Sequence, residues 1–243
     1  MNENFDVFDD FVMKYDMTDS MIAYKYNHSY RVVHQAEEIA RSINLEEEDR
    51  DIASLIGLLH DTARFRQWTD YKTFDDNKSF DHGDEAIKIL YEEGLINKFK
   101  VNHEYDSVIK KAIIYHNKAY IDDYDMTIKE KLHSKIIRDA DKIDILYSFS
   151  TNRLLELEED DNPISPKVRE TFMKHKIILK TDCVSLNDRI ILLLGLVFDL
   201  NYKYSKNKVY NENYIGKMYE GLKHKDIFKE YIDEINKYFK EEE

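Results

Sequence analysis

A chain of 243 residues can bury one continuous core, and its six Gly and two Pro are too few for an all-β protein built on many tight turns, so helices dominate the reading. Its net charge of −13, from 36 Lys and Arg against 49 Asp and Glu, opposes binding to duplex nucleic acid and to anionic membranes. The single cysteine, Cys183, excludes an intramolecular disulfide and a Cys-rich zinc site.

Phe5, Phe8, Val12 and Tyr15 predict a short amphipathic helix packed over the outside of the core. The N-terminus lacks a basic n-region and an apolar h-region, and no run is long enough to span a bilayer, so the cytoplasm is the expected location. A polar start at Thr18-Asp19-Ser20 leads into one helical segment, and Asn27-His28-Ser29-Tyr30-Arg31 opens the next. There Val32, Ala36, Ile39, Ala40 and Ile43 share a face, with His28 one turn ahead of it. His34 lies off that stripe.

Ile52, Leu55, Ile56 and Leu59 then mark the buried face of a helix that ends in His60-Asp61. A carboxylate beside an imidazole in a core is costly unless a cation compensates it. Adjacent helix positions diverge by about 100°, so both side chains reach one ion only near the helix end, and other helices must supply the remaining ligands. Tyr71 to Phe80, aromatic and polar without periodicity, predicts a loop suited to substrate contacts. His82 opens a helix carrying Ala86, Ile87, Leu90 and Tyr91 and stopped by Gly94. Val108, Ile109, Ala112 and Ile113 form a face continued one turn later by His116. In Asp139-Ala140-Asp141-Lys142-Ile143-Asp144, carboxylates interrupt an apolar helix, so at least one of Asp141 and Asp144 is buried and needs a cation.

From about 152 to 180 runs an acidic, Pro-containing connection with an amphipathic helix (Val168, Phe172, Met173, Ile177). An apolar helix over 186–200 and further amphipathic helices follow. His175 and His224 read as surface or rim residues, and no catalytic constellation follows Asp144. We read 1–243 as a single domain, with a metal-site core over about 18–150 and a C-terminal helical extension over about 151–243.

A histidine opening a helix (His28 in His-Ser-Tyr-Arg-Val), a doublet in Leu-Leu-His-Asp, and Asp-Ala-Asp-Lys-Ile-Asp on a later helix resemble, in that order, the HD-domain metal-dependent phosphohydrolase superfamily over roughly 27–146. The resemblance implies an all-α HD-domain helical bundle in which His28, His60, Asp61 and Asp141 ligate one divalent ion. Two imidazoles and two carboxylates suit Mn, Fe, Co, Ni or Mg, with a bound water as nucleophile. Some members hold two ions with the doublet's Asp as bridge. His82 and His116 occupy the matching interval, where a second-metal, supporting or structural role stays open. Arg64 and Lys78, with Asp61, are the candidates for catalysis, the two cations on the substrate's phosphate. Lys142 points away from Asp141 by helix geometry.

The expected activity is hydrolysis of a phosphomonoester or phosphodiester of a small, anionic, nucleotide-like molecule. The chain departs from the alarmone-hydrolase branch, having Thr62-Ala63-Arg64-Phe65 where that branch has an acidic pair. It also lacks the GYP motif of the cyclic-dinucleotide branch. The alternatives are a di-iron oxygenase of the same fold and a non-catalytic sensor that binds metal or nucleotide. Homo-oligomer formation is left open.

Overall fold

The computed structural model describes residues 2–151 and 157–241, so part of the acidic connection expected from 152 onward lies outside the described residues. Among those described, the chain is all-α, without a strand. It divides into two compact units, 1–141 and 142–243.

In the first unit, α1 (Asn2–Val12) is followed by α2 (Ser20–Ser42), α3 (Glu47–Leu59) and α4 (Thr62–Tyr71). α2 is one continuous helix, capped where the Asp19 carboxylate accepts the Met21 N–H at 2.9 Å. His28 therefore lies two turns inside α2 rather than at the mouth of a second helix, because nothing between 20 and 42 breaks the backbone ladder. α1 also departs from expectation. Phe8 is fully buried and meets Phe65 of α4 edge-on at 6.0 Å, with Phe11 beside it, so α1 forms part of the core.

α2 packs along α3, with Gly57 set against the Val33 backbone. A Cβ there would stand 3.1 Å from the Val33 Cα and 3.2 Å from its N. Alanine normally improves a helix by about 1 kcal/mol over glycine, but this contact is with backbone, which cannot step aside. We expect Gly57→Ala to destabilise the protein by about 1–3 kcal/mol, the range for overpacking. An unchanged urea midpoint would show that the two helices tolerate greater separation.

α5 (His82–Ile87) passes into a wider π-helical turn over Lys88–Glu92 and stops at Gly94, whose φ of +77° is the left-handed conformation that favours glycine. α6 (Asp106–Tyr115) ends at His116, and α7 (Ile128–Thr151) carries Asp141 at the end of the first unit.

The second unit contains α8 (Pro166–Met173), α9 (Leu186–Leu194), α10 (Lys203–Asn211), α11 (Tyr214–Gly221) and α12 (Lys225–Glu241). α8 stops before Ile177 because His175 adopts a left-handed φ of +52°, stacked on Phe198 at 4.6 Å. The helix expected over 186–200 is α9 followed by a 3₁₀ turn, Gly195–Asp199. Buried Lys142 pairs with Asp199 at 2.8 Å. No helix of the described residues is long and apolar enough to cross a membrane.

Candidate metal centre

The chain turns sharply at the doublet. His60 ends α3 with helical dihedrals, whereas Asp61, at φ −108° and ψ 17°, occupies the cap position of α4. That break lets two neighbouring side chains converge. An aspartate in this position ordinarily accepts a backbone N–H of the next turn, but Asp61 makes no such bond and its carboxylate turns inward.

Each Asp61 oxygen faces a different group of donors. Oδ2 lies 3.3 Å from His28 Nε2 and 3.6 Å from His60 Nε2. Asp141 Oδ1 completes this side, 3.2 Å from His28 Nε2 and 3.7 Å from His60 Nε2. Asp61 Oδ1 lies 3.6 Å from His82 Nε2 and 3.7 Å from His116 Nε2. Donors bound at about 2.1 Å in adjacent positions around one ion stand roughly 3 Å apart, close to these spacings. Two overlapping sets could hold an ion: His28, His60 and Asp141, and His60, Asp61 and His116.

The hydrogen bonds behind the imidazoles decide which nitrogen faces inward. His60 Nδ1 donates to the Gly57 carbonyl at 2.8 Å, His116 Nδ1 to Ile113 at 2.5 Å, and His82 Nδ1 to Asp76 Oδ2 at 2.6 Å. In a neutral imidazole the other nitrogen then carries the lone pair. Yet His82 Nε2 and His116 Nε2 are 2.9 Å apart, and His28 Nε2 and His60 Nε2 3.3 Å. Between His82 and His116 two lone pairs meet, with the Asp61 carboxylate beside them, and such groups repel one another unless a cation lies among them. The donor set therefore fits a divalent ion, and the second-layer acceptors are those that usually orient metal-binding histidines.

Electrostatics point the same way. Burial pushes His60 below the ordinary histidine range, and burial followed by the Arg64 charge pushes His82 down to about 3, so both rings are neutral ligands near neutral pH. Burial alone would raise Asp61, but the Lys25 ammonium beside it holds the carboxyl well below its usual range.

A further layer holds His82 and His116. Asp76 accepts from Arg64 Nη1 (2.9 Å) and Gln67 Nε2 (3.0 Å) on Oδ1, and from Asn117 (3.3 Å) beside His82 on Oδ2. Buried Arg138 donates to the carbonyls of Tyr115 (2.7 Å) and Lys118 (2.5 Å), on either side of His116.

Of the residues singled out in the sequence, His28, His60, Asp61, Asp141, His82 and His116 converge in one cluster. Arg64 adjoins it, with Nε 3.5 Å from Asp61 Oδ1, while Lys78 lies exposed on the turn that carries Asp76. Asp144 is buried too, 3.4 Å from the Ser148 hydroxyl. Sequence reading missed Lys25, Asp76, Gln67 and Arg138. For Lys25 a signal existed: it stands three residues before His28 and so shares its helix face. The others hold loop segments in place, and no periodicity marks such residues.

No curated protein and no solved structure matches the chain significantly. The family model described as HD domain matches residues 26–146, an interval that opens just before His28 and closes just after Asp141. The matched segment is thus the one that delivers all six converging histidines and aspartates, and the chain belongs to the HD-domain family.

Proposed function

We propose that the protein is a divalent-metal-dependent phosphohydrolase that cleaves a phosphomonoester or phosphodiester of a small nucleotide-like molecule. The observation that carries this reading is the division of Asp61: one oxygen faces His28 and His60, the other His82 and His116. In this reading His28, His60, Asp61 and Asp141 would hold one ion of Mn, Fe, Co, Ni or Mg, and His82 and His116, with Asp61, would be the residues available to a second. A bound ion supplies a water acidic enough to be a nucleophile near neutral pH and polarises a phosphoryl oxygen.

The chain's own residues do the rest. Asp61 spans both groups of donors, and the Nδ1 acceptors keep the imidazoles aimed inward. Arg64 is anchored through Nη1 on Gln67, the Phe74 carbonyl and Asp76, while its buried Nε has no hydrogen-bond partner. That donor, 3.5 Å from Asp61 Oδ1 and outside hydrogen-bond geometry, suits charge developing on the phosphate, and Lys78 is the second cation of the same loop region.

The test is phosphate release from a panel of nucleotides, cyclic nucleotides and simple phosphate esters, with Mn or Mg and without oxygen. Release by wild type and none by His60→Ala is the expected result, whereas equal release by both would sink the assignment. A second reading, a di-iron oxygenase, draws on the same two-sided Asp61. It would require bound iron and an absorption change on exposure to oxygen.

Asp76 supplies a separate prediction, because it fixes the donor nitrogen of His82. Asp76→Asn should weaken the second ion about 10- to 100-fold, the usual effect of losing such a supporting partner, while the first ion stays. Titrating metal-free protein with Mn and counting bound ions checks this, and two full-affinity ions in the variant would contradict it.

A further inference from the structure

We propose that Lys25 binds the substrate's phosphate and is held on Asp61 until an ion engages that carboxylate. This rests on the phosphate-ester reading and goes beyond it by naming the group that grips the anion. α2 places Lys25 one turn before His28, on the same buried face. Its Nζ donates to Asp61 Oδ2 at 2.6 Å, the same oxygen that faces His28 and His60.

An ammonium has three N–H donors. Among the described residues Asp61 is the one hydrogen-bond acceptor of Lys25. Its other close neighbours are the rings of Phe74, at 5.2 Å, and Tyr24, at 5.8 Å. Two donors are unspent in a side chain only 11 % exposed. Burying them unmatched is costly, which points to an acceptor that the chain does not itself supply.

The position fits such an acceptor. The imidazoles His28, His60, His82 and His116 are at most 5 % exposed, whereas Asp76 reaches 20 %, Asp141 15 %, and Lys25 and Arg64 11 % each. These last four are the more exposed side chains of the cluster, and both cations lie over the Phe74 ring. Of the two, Arg64 is the more committed, with three acceptors on one Nη. A divalent ion held by Asp61 would offset that carboxylate's hold on Lys25 and leave the ammonium seeking another anion. A phosphate beside the ion is then its strongest partner, through a charge-assisted hydrogen bond.

The test is calorimetric titration of inorganic phosphate into Mn-loaded wild type, Lys25→Met, Lys25→Gln and, as a control, Lys72→Met. Lys72 is exposed and pairs with Asp19. Both Lys25 variants should bind phosphate about 10- to 100-fold more weakly, the scale of one lost hydrogen bond to a charged group. They should carry as many ions as wild type, and the control should match wild type.

Wild-type phosphate affinity in the Lys25 variants overturns the proposal, as does weaker binding that follows loss of metal. Wild type that hydrolyses esters while Lys25→Met keeps its KM overturns the proposal and leaves the phosphohydrolase reading standing. Wild type that neither binds phosphate nor releases it from any ester overturns both.

Discussion

Purified His60→Ala and Asp61→Ala are expected to have lost bound divalent metal and to turn over a phosphate ester about 10³-fold or more slowly than wild type, because the attacking water returns to its ordinary acidity. Elemental analysis and initial rates measure the two effects separately. Stability should follow, since an ion present at a hundred times its Kd adds about 2.7 kcal/mol to a fold that alone binds it. Wild type should therefore melt higher with added metal, and neither variant should respond.

Asp61→Ala has an additional cost that His60→Ala lacks. It leaves the Lys25 ammonium buried without its 2.6 Å partner, and breaking one side of such a pair typically destabilises by about 3–5 kcal/mol. A double variant, Asp61→Ala with Lys25→Met, should recover much of that loss without recovering metal. If either single variant keeps the wild-type metal content, the doublet is not the centre of the site.

The second large effect is expected at Arg64. Arg64→Ala should lower kcat/KM by about 10²–10³, the scale for deleting one preorganised group that stabilises developing charge. Metal content should stay the same, because Gln67 and Asn117 still hold Asp76 behind His82. Arg64→Lys keeps the charge but cannot both anchor on Gln67, the Phe74 carbonyl and Asp76, as Nη1 does, and present a separate Nε toward Asp61, so it should recover only part of the rate. A fall in kcat would mark an interaction made in the transition state, and a rise in KM alone would mark uniform binding. Arg64→Ala and Lys78→Ala both keeping wild-type kinetics, on a substrate that His60→Ala cannot process, would remove these cations from the reaction.

Helical periodicity and the order of chemically distinctive residues were legible in the linear chain. Apolar steps of three and four residues marked the faces that end in His60 and His116, and scarce Gly and Pro pointed to an all-α fold, so a buried His-Asp doublet followed from pattern alone. Those signals are local: each depends on residues within a few turns of one helix. What only the tertiary structure decided are contacts between segments far apart in sequence. The extent of α2, and hence the place of His28 inside it, depended on the Asp19 cap and an unbroken ladder. The burial of α1 followed from Phe8 meeting Phe65, 57 positions away. The division of Asp61 between two groups of imidazoles required the interior of α2 and the ends of α3, α5 and α6 to converge, and its ion pair with Lys25 spans 36 positions. Asp76 carried no helical signal at all, because it lies on a turn whose shape is set by Arg64 and Gln67. Periodicity shows which face of a helix turns inward, but which charge it meets there is settled by packing among distant segments, and that packing decides whether a buried carboxylate is left bare or matched by a cation.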